Sequence, residues 1–282
     1  MVKFGKEYRA LQLEEWKKYY INYKTLKKKI KEIKIKIFGK RKQEDSKERK
    51  TRSSVLSLPL LPEESDGEGN LSTLYKEQHG ELLKEFIELL LTEFKKSYSF
   101  FTGIEKVLIK KINTHLYIQT NYPNYGLQDL SKEMKSLSLT VYLAKSLNGF
   151  VNDIMMAMKK ILKKFDKKFS SIFGLITPNL ILHLLSKKNS ELEYVLQFKI
   201  IDEISTIGES LTYELKNHFD QNNEESNQEN EKYREEFLLK YNECLGYIKD
   251  IDELIYFKTQ YKDWLDYIRG IKRKKKSLKN LE

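Results

Sequence analysis

Two long apolar stripes, separated by a short interruption, constrain the fold more than any other feature of the sequence. Hydrophobic side chains recur every three or four residues over 82–112 and again over 130–158, which places them along one face of an α-helix. The intervening segment, 122–126, contains a proline and a glycine and predicts a turn. Two helices of this length joined by so short a turn must pack antiparallel, so we predict long helices over about 73–120 and 127–169.

The rest of the chain also has helical periodicity. A stripe of aromatic and aliphatic residues predicts a helix over 14–39 that ends at its glycine. Shorter helices are predicted over 178–187 and 190–219, followed by a final helix or helical hairpin over 233–281. Because no segment alternates with the period of a strand, the predicted class is all-α. The predicted architecture is an N-terminal helical hairpin packed on a bundle of two long antiparallel helices, with shorter C-terminal helices.

Changes in composition divide the chain into three parts. The main domain is predicted over 1–219, interrupted by a polar insertion at about 40–72 that carries prolines and glycines and is expected to be flexible. Asparagine, glutamine and glutamate dominate residues 220–232, which predicts a polar linker. The remaining segment, 233–282, ends in a basic tail at 272–276. That tail fits a nuclear address or a solvated chain end equally well.

The overall charge predicts an anionic partner. The chain has 282 residues with a formal net charge of +11 and a sequence pI near 9.2. Nucleic acid, an anionic membrane surface, an acidic protein and a polyphosphorylated small molecule all fit. The single cysteine, Cys244, excludes an internal disulfide framework and fits a reducing compartment. Because residues 1–20 lack the apolar centre of a signal peptide, we expect a cytoplasmic location, with the nucleus as an alternative.

One segment concentrates this charge on a single helix face. In M-K-K-I-L-K-K-F-D-K-K-F, residues 158–169, four lysines share a narrow face opposite an apolar one: Lys160, Lys163, Lys164 and Lys167. Like charges three or four residues apart repel by roughly a few tenths of a kcal/mol per pair. Such a row is either a solvated surface or a binding site that a polyanion relieves of its repulsion.

Two sequence segments together resemble the SPX domain family, which occurs in phosphate exporters, polyphosphate polymerases and stand-alone regulators. V-K-F-G-K at 2–6, followed by E-W-K-K-Y-Y-I-N-Y-K-T-L-K-K-K-I-K at 15–31, is similar to the family's N-terminal pattern. K-I-L-K-K-F-D-K-K at 160–168 is similar to its later lysine-rich helix. The resemblance covers about 1–219, and this family often has a variable insertion where residues 40–72 stand.

The resemblance implies an inositol polyphosphate site, for inositol pyrophosphates especially, where the N-terminal segment crosses the long helices. Lysines suit a ring that carries phosphates on several sides, because each is a flexible point charge with three donors. The ligands implied by the motifs are Tyr23, Lys27 and Lys164, with Lys160, Lys163 and Lys167 as an adjoining surface. Lys3 matches less well, since Val2 shifts its spacing from the initiator methionine.

The sequence lacks the usual signatures of catalysis. It contains no G-x-x-x-x-G-K-[ST] loop, no H-E-x-x-H and no G-x-S-x-G motif. The four histidines are scattered without the spacing of metal ligands. We therefore expect a protein that is not an enzyme and that has no metal or cofactor.

Two functions of different classes remain open from the sequence. One is a stand-alone sensor of phosphate status: an inositol phosphate fills the basic patch, and the loaded domain then binds or releases a regulatory protein, through 233–281 for example. The other is a basic electrostatic binding protein for nucleic acid or an anionic membrane surface. Salt separates them, because binding of nucleic acid by many lysines collapses steeply as salt rises. A preformed site keeps its preference for inositol phosphates over sulfate or orthophosphate.

Overall fold

The computed structural model describes residues 4–48, 69–121, 126–173, 199–222 and 228–253, together with Ile176, Leu180 and Asp263. Within these residues the regular elements are all helical. They are α1 (Phe4–Ala10), a 3₁₀ helix (Glu14–Tyr19), α2 (Tyr23–Glu48), α3 (Gly69–Asn121), α4 (Leu127–Phe173), α5 (Lys199–Gln221) and α6 (Gln228–Glu253). The all-α class, with an N-terminal hairpin on two long helices, is therefore confirmed.

The two long helices, α3 and α4, run antiparallel as the apolar stripes predict. Phe86 of α3 stacks on Phe165 of α4 with ring centroids 4.3 Å apart, while His115 contacts Glu133 near the opposite end of the pair. At 1.5 Å per residue the 53-residue α3 is about 80 Å long. Helix α4 is the centre of the bundle, because α2, α3, α5 and α6 all pack against it.

The predicted single helix over 14–39 is wrong at both ends. The chain forms a 3₁₀ helix over Glu14–Tyr19 and then an extended turn, so that α2 begins only at Tyr23. The aromatic side chains that produced the helical spacing pack sideways instead: Trp16 contacts Phe100 with ring centroids 5.1 Å apart. Helix α2 also continues through its glycine to residue 48, because one glycine inside a helix costs only about 1 kcal/mol.

The predicted insertion is correspondingly shorter than 40–72. Residues 40–48 belong to α2, and 69–72 already belong to α3. Residues 49–68 lie outside the described part of the chain, and their predicted flexibility stays a prediction.

The C-terminal helices complete the bundle around α4. Helix α5 runs antiparallel to α6, and Phe219 stacks on Phe237 with ring centroids 4.2 Å apart. Helix α6 lies along α4, where Lys135 of α4 donates to Glu236 over 3.0 Å. The linker predicted over 220–232 is narrower than expected, since α5 extends to Gln221 and α6 begins at Gln228.

The remaining predictions for this region concern residues that are not described. These are the helix over 178–187 apart from Leu180, the start of the helix predicted over 190–219, and 254–282 apart from Asp263. Among the helices that the structure does describe, none is both long and apolar enough to cross a bilayer.

Candidate functional site

The site is built on the sharp turn that carries the chain from the 3₁₀ helix into α2. Asn22 caps α2, because its Oδ1 accepts a hydrogen bond of 3.1 Å from the backbone N–H of Thr25. Its own backbone N–H donates to the Glu93 carboxylate over 2.9 Å. These two bonds fix the first turn of α2 against α3, and with it the direction of the Tyr23 side chain.

Helix α1 is tied to the same turn by a buried phenol. The hydroxyl of Tyr8, a residue that is 1% exposed, donates to the backbone carbonyl of Ile21 over 3.2 Å. Burial raises the pKa of Tyr8 far above its ordinary value. The phenol is therefore a permanent donor at physiological pH, and α1 is held beside the start of α2.

A second aromatic contact orients Tyr23 itself. Phe4 of α1 meets Tyr23 edge-on, with ring centroids 5.0 Å apart. Gly5 lies against the same ring, because a Cβ added there would be in ordinary van der Waals contact with Tyr23 Cδ1 at 3.7 Å. Burial raises the pKa of Tyr23, so at neutral pH the phenol keeps its proton and can donate a hydrogen bond to an anion.

These elements enclose a cleft of about 510 Å³, which we call the basic cleft. Its walls come from α1, the 3₁₀ helix and the start of α2, with one lysine each from α3 and α4. Its cationic lining consists of seven lysines and one arginine, and no carboxylate stands among the described residues that line it: Lys6, Arg9, Lys17, Lys18, Lys24, Lys27, Lys96 and Lys164. The lining of the cleft therefore favours anions over neutral or cationic ligands.

The structure brings three of the predicted ligands together in this cleft. Tyr23 and Lys27 extend from the first turns of α2, and Lys164 reaches in from α4. Tyr23 and Lys27 are four residues apart, so their side chains leave the helix on one side. A polyanion seated here would meet a phenol and two ammonium groups from two different helices.

Lys164 has cationic neighbours that the sequence does not reveal. Burial lowers its pKa, and the charges of Lys27, Lys168 and Lys31 lower it further. The pKa of Lys168 is also lowered, first by burial and then by the charges of Lys34, Lys31 and Lys27. Helices α2 and α4 therefore face each other with lysines on both sides, a strip of positive charge that runs on from the cleft.

The other predicted lysines lie around the cleft rather than in it. Lys160 sits at the edge formed by α1, where its Nζ is 5.7 Å from the centre of the Phe4 ring. Lys163 and Lys167 are exposed and are not part of the cleft lining. Lys3 lies outside the described residues.

A buried carboxyl group lies below the cleft. Asp153 of α4 is 8% exposed, and burial raises its pKa to about 7. It is close enough to Tyr8 and Tyr20 for its charge to raise the pKa of both phenols, second to burial for Tyr8. The predicted site residues did not include this aspartate, although an acidic residue inside the apolar stripe of α4 is a signal that the sequence offers.

The site offers no support for a metal. Within the described ranges, no group of three or more histidine, cysteine, aspartate or glutamate side chains is arranged to hold a metal ion. Lysine ammonium groups are donors without a lone pair, so the cleft suits an anion and not a cation.

Comparison with known proteins finds a family similarity in the segment that supplies most of the cleft lining. The family model of the SPX domain matches residues 2–78, which include α1, the 3₁₀ helix, all of α2 and the beginning of α3, but neither Lys96 nor Lys164. An "SPX domain-containing membrane protein" of Oryza sativa subsp. indica is 29% identical over 177 residues, which is 61% of this chain and 20% of the relative. One from Arabidopsis thaliana is 25% identical over 183 residues, again 61% and 20%.

The resemblance to the SPX family is therefore confirmed. The chain spans about one fifth of the length of these relatives. No solved structure matches it at a significant level.

Proposed function

We propose that this chain, whose residues 2–78 match the SPX domain, binds an inositol polyphosphate or inositol pyrophosphate in the basic cleft and thereby senses phosphate status. The observation that carries the proposal is the meeting of Tyr23, Lys27 and Lys164 in one anion-selective cleft. The similarity of residues 2–78 to the SPX domain, a family concerned with phosphate-related signalling, supports the proposal.

The size and charge of the cleft favour a multiply phosphorylated ring over a single phosphate. Orthophosphate would engage only a few of the eight cationic side chains around a space of about 510 Å³. Lys17 and Lys96 already have carboxylate partners, Glu14 and Glu93, whereas the repulsion between Lys27 and Lys164 would be only partly relieved. A ring with six or more phosphates can reach the lysines of α2 and α4 together, and each charge-assisted hydrogen bond contributes roughly 1.5–3 kcal/mol.

We expect the ligand to act by neutralising the lysines that face each other between α2 and α4. Without an anion, Lys27 and Lys31 repel Lys164 and Lys168 across the contact between α2 and α4. A bound polyphosphate neutralises that repulsion and holds α2, which already packs on α3 and α4, more tightly against the long helices. A regulatory protein partner would then distinguish the loaded, tightened hairpin from the empty one.

We further propose that the chain is a binding protein rather than an enzyme. The cleft presents donors and positive charge but no described carboxylate or histidine that could act as a base at a bound phosphate. The protein partner and the cytoplasmic location belong to this proposal as well.

Calorimetric titration with inositol hexakisphosphate and an inositol pyrophosphate, at near-physiological salt, tests the site. The Lys27→Ala/Lys164→Ala variant removes two lysines from the cleft, and we expect its affinity to fall about 100-fold or more. The matched control, Lys163→Ala/Lys167→Ala, removes equal charge from the exposed face of α4 and should lose less than about fivefold.

Orthophosphate and a short DNA duplex are titrated alongside. Equal losses in both variants would mean that the ligand responds only to overall charge, which would reject the cleft. Duplex binding without preference for inositol phosphates would favour the basic electrostatic binding protein instead.

A further inference from the structure

The charge of α3 changes abruptly along its length. Five glutamates lie from Glu81 to Glu105, mixed with lysines, whereas the helix from Lys106 to Asn121 contains three lysines and no acidic residue. Within the described part of the chain, none of these three, Lys106, Lys110 and Lys111, is paired with a carboxylate. Their positive charge is therefore uncompensated.

The same stretch exposes large apolar side chains between its lysines. Val107 is 44% exposed, Ile109 40%, Leu116 37% and Tyr117 61%. At 100° per residue, Ile109, Leu116 and Tyr117 fall with Lys106 and Lys110 within an arc of about 120°, while Val107 lies about 60° beyond Lys110. We call this set the α3 patch: Lys106, Val107, Ile109, Lys110, Leu116 and Tyr117.

The opposite face of the helix fixes the direction of the patch. Leu108 and Ile112 are buried against the bundle. His115 is held between two residues of α4: its Nδ1 lies 2.5 Å from Glu133 Oε1, and its Nε2 lies 3.1 Å from Thr140 Oγ1. Helix α3 cannot turn about its axis here, so the apolar side chains of the patch stay outside the core.

We propose that the α3 patch is a contact site for an anionic phospholipid surface, separate from the basic cleft. Lys106 is ten residues beyond Lys96 of the cleft, or about 15 Å along the helix axis, roughly twice the screening length at physiological salt. The inference therefore goes beyond the proposed function, and the two can fail independently.

The chemistry of the patch favours lipid over nucleic acid. A helix face that combines lysines with neighbouring aliphatic and tyrosine side chains is typical of helices lying in the membrane interface, where ammonium groups meet lipid phosphates and apolar side chains enter the acyl boundary. Nucleic acid would use the lysines and could stack on Tyr117, but it would leave Ile109 and Leu116 against charged phosphates. Anionic lipid is the partner that satisfies both kinds of side chain.

Vesicle sedimentation with the full chain tests the proposal. Wild type is expected to bind phosphatidylcholine vesicles that contain about 30% phosphatidylserine and not to bind vesicles of pure phosphatidylcholine. Lys106→Glu/Lys110→Glu should weaken binding about 20-fold or more. Ile109→Ser/Leu116→Ser, which keeps the charge, should weaken it about tenfold.

Two control variants separate the patch from charge elsewhere. Lys84→Glu/Lys249→Glu makes the same change of charge at two lysines that are both 77% exposed, and it should bind vesicles within about threefold of wild type. Lys27→Ala/Lys164→Ala disables the cleft and should also keep vesicle binding. Loss of binding in either control equal to that in the patch variant would overturn the proposal, as would an unchanged Ile109→Ser/Leu116→Ser variant or tighter binding to a DNA duplex.

A spectroscopic measurement covers the case in which a patch variant fails to fold. Tyr117→Trp adds a third tryptophan to Trp16 and Trp264 at the most exposed apolar position of the patch, and its emission is obtained as the difference from wild type. Anionic vesicles should shift its emission to the blue, and brominated lipids should quench it. Emission that stays at the position typical of water in the presence of bound vesicles would show that another surface makes the contact.

Discussion

Replacing Lys164 with methionine should stabilise the free protein and weaken ligand binding at the same time. Methionine has nearly the same length but no charge. Lys164 is partly buried and faces three other lysines, Lys27, Lys168 and Lys31, all of which lower its pKa. At a few tenths of a kcal/mol for each like-charged pair, removing the ammonium group should stabilise the free protein by about 1 kcal/mol. That corresponds to a rise in Tm of about 2–4 °C for a chain of this size.

The effect on binding has the opposite sign. Loss of a charge-assisted hydrogen bond of roughly 1.5–3 kcal/mol should weaken inositol hexakisphosphate binding at least about tenfold. Lys84→Met is the control, because that lysine is 77% exposed and its carboxylate neighbour, Glu88, lies at 4.0 Å. It should leave affinity unchanged and alter stability by less than about 0.5 kcal/mol.

Thermal unfolding at low and high salt, paired with calorimetry, measures both effects. The gain in Tm of Lys164→Met should shrink as salt rises, because the screening length falls from about 30 Å at 0.01 M to about 3 Å at 1 M. The repulsion between α2 and α4 would be refuted if ligand-free Lys164→Met were less stable than wild type at low salt, or if its gain in Tm did not change with salt.

Three further predictions address the framework of the cleft. Tyr23→Phe should weaken inositol hexakisphosphate binding about tenfold with an unchanged circular dichroism spectrum, because only the donor hydroxyl is lost; full affinity in calorimetry would remove Tyr23 from the site. Tyr8→Phe should lower stability by about 1 kcal/mol, since the Ile21 carbonyl loses a bond of 3.2 Å but keeps one of 2.8 Å from the Tyr23 N–H; urea unfolding that matches wild type would show that this bond does not hold α1. The pKa of Asp153 is about 7 against an ordinary 3.8, so the folded state binds the extra proton and wild-type stability should fall by up to about 4 kcal/mol as pH rises from about 4 to 7. Asp153→Asn should lack that part of the slope and exceed wild type in stability at pH 8; identical pH profiles in urea unfolding would contradict the burial of this carboxyl group.

The long helices could be predicted because their apolar stripes persist for many turns. One or two exceptions, such as Asp153 in the stripe of α4, do not disturb a period maintained over 47 residues. The N-terminal hairpin was harder, because Trp16, Tyr19 and Tyr20 also have helical spacing. In the structure these rings pack with Phe100 and Phe150, and that tertiary contact outweighs local propensity.

The boundary between the 3₁₀ helix and α2 nevertheless has a local signal in the sequence. Asn22 stands where α2 begins and accepts the backbone N–H of Thr25 three residues on, which is the usual role of asparagine at a helix N-terminus. A capping asparagine at this position therefore predicts the start of α2 more closely than the aromatic spacing does.

The candidate site was predictable in part. The motifs place Tyr23, Lys27 and Lys164 in the sequence, and the structure brings them into one cleft. Helical spacing alone could not separate Lys164 and Lys168, which face α2, from the exposed Lys163, because that difference depends on where α2 packs. The contributions of α1, the 3₁₀ helix and α3 to the cleft likewise come from tertiary structure: Lys6, Arg9, Lys17, Lys18 and Lys96.

A crystal structure of the full chain with inositol hexakisphosphate tests the central claim most directly. We expect phosphate oxygens within about 3 Å of the Tyr23 hydroxyl and of the Nζ atoms of Lys27 and Lys164. We also expect α1 to stay beside the ligand, held by the hydrogen bond from the Tyr8 hydroxyl to the Ile21 carbonyl. A ligand found on the exposed face of Lys163 and Lys167, with the basic cleft empty, would contradict the account.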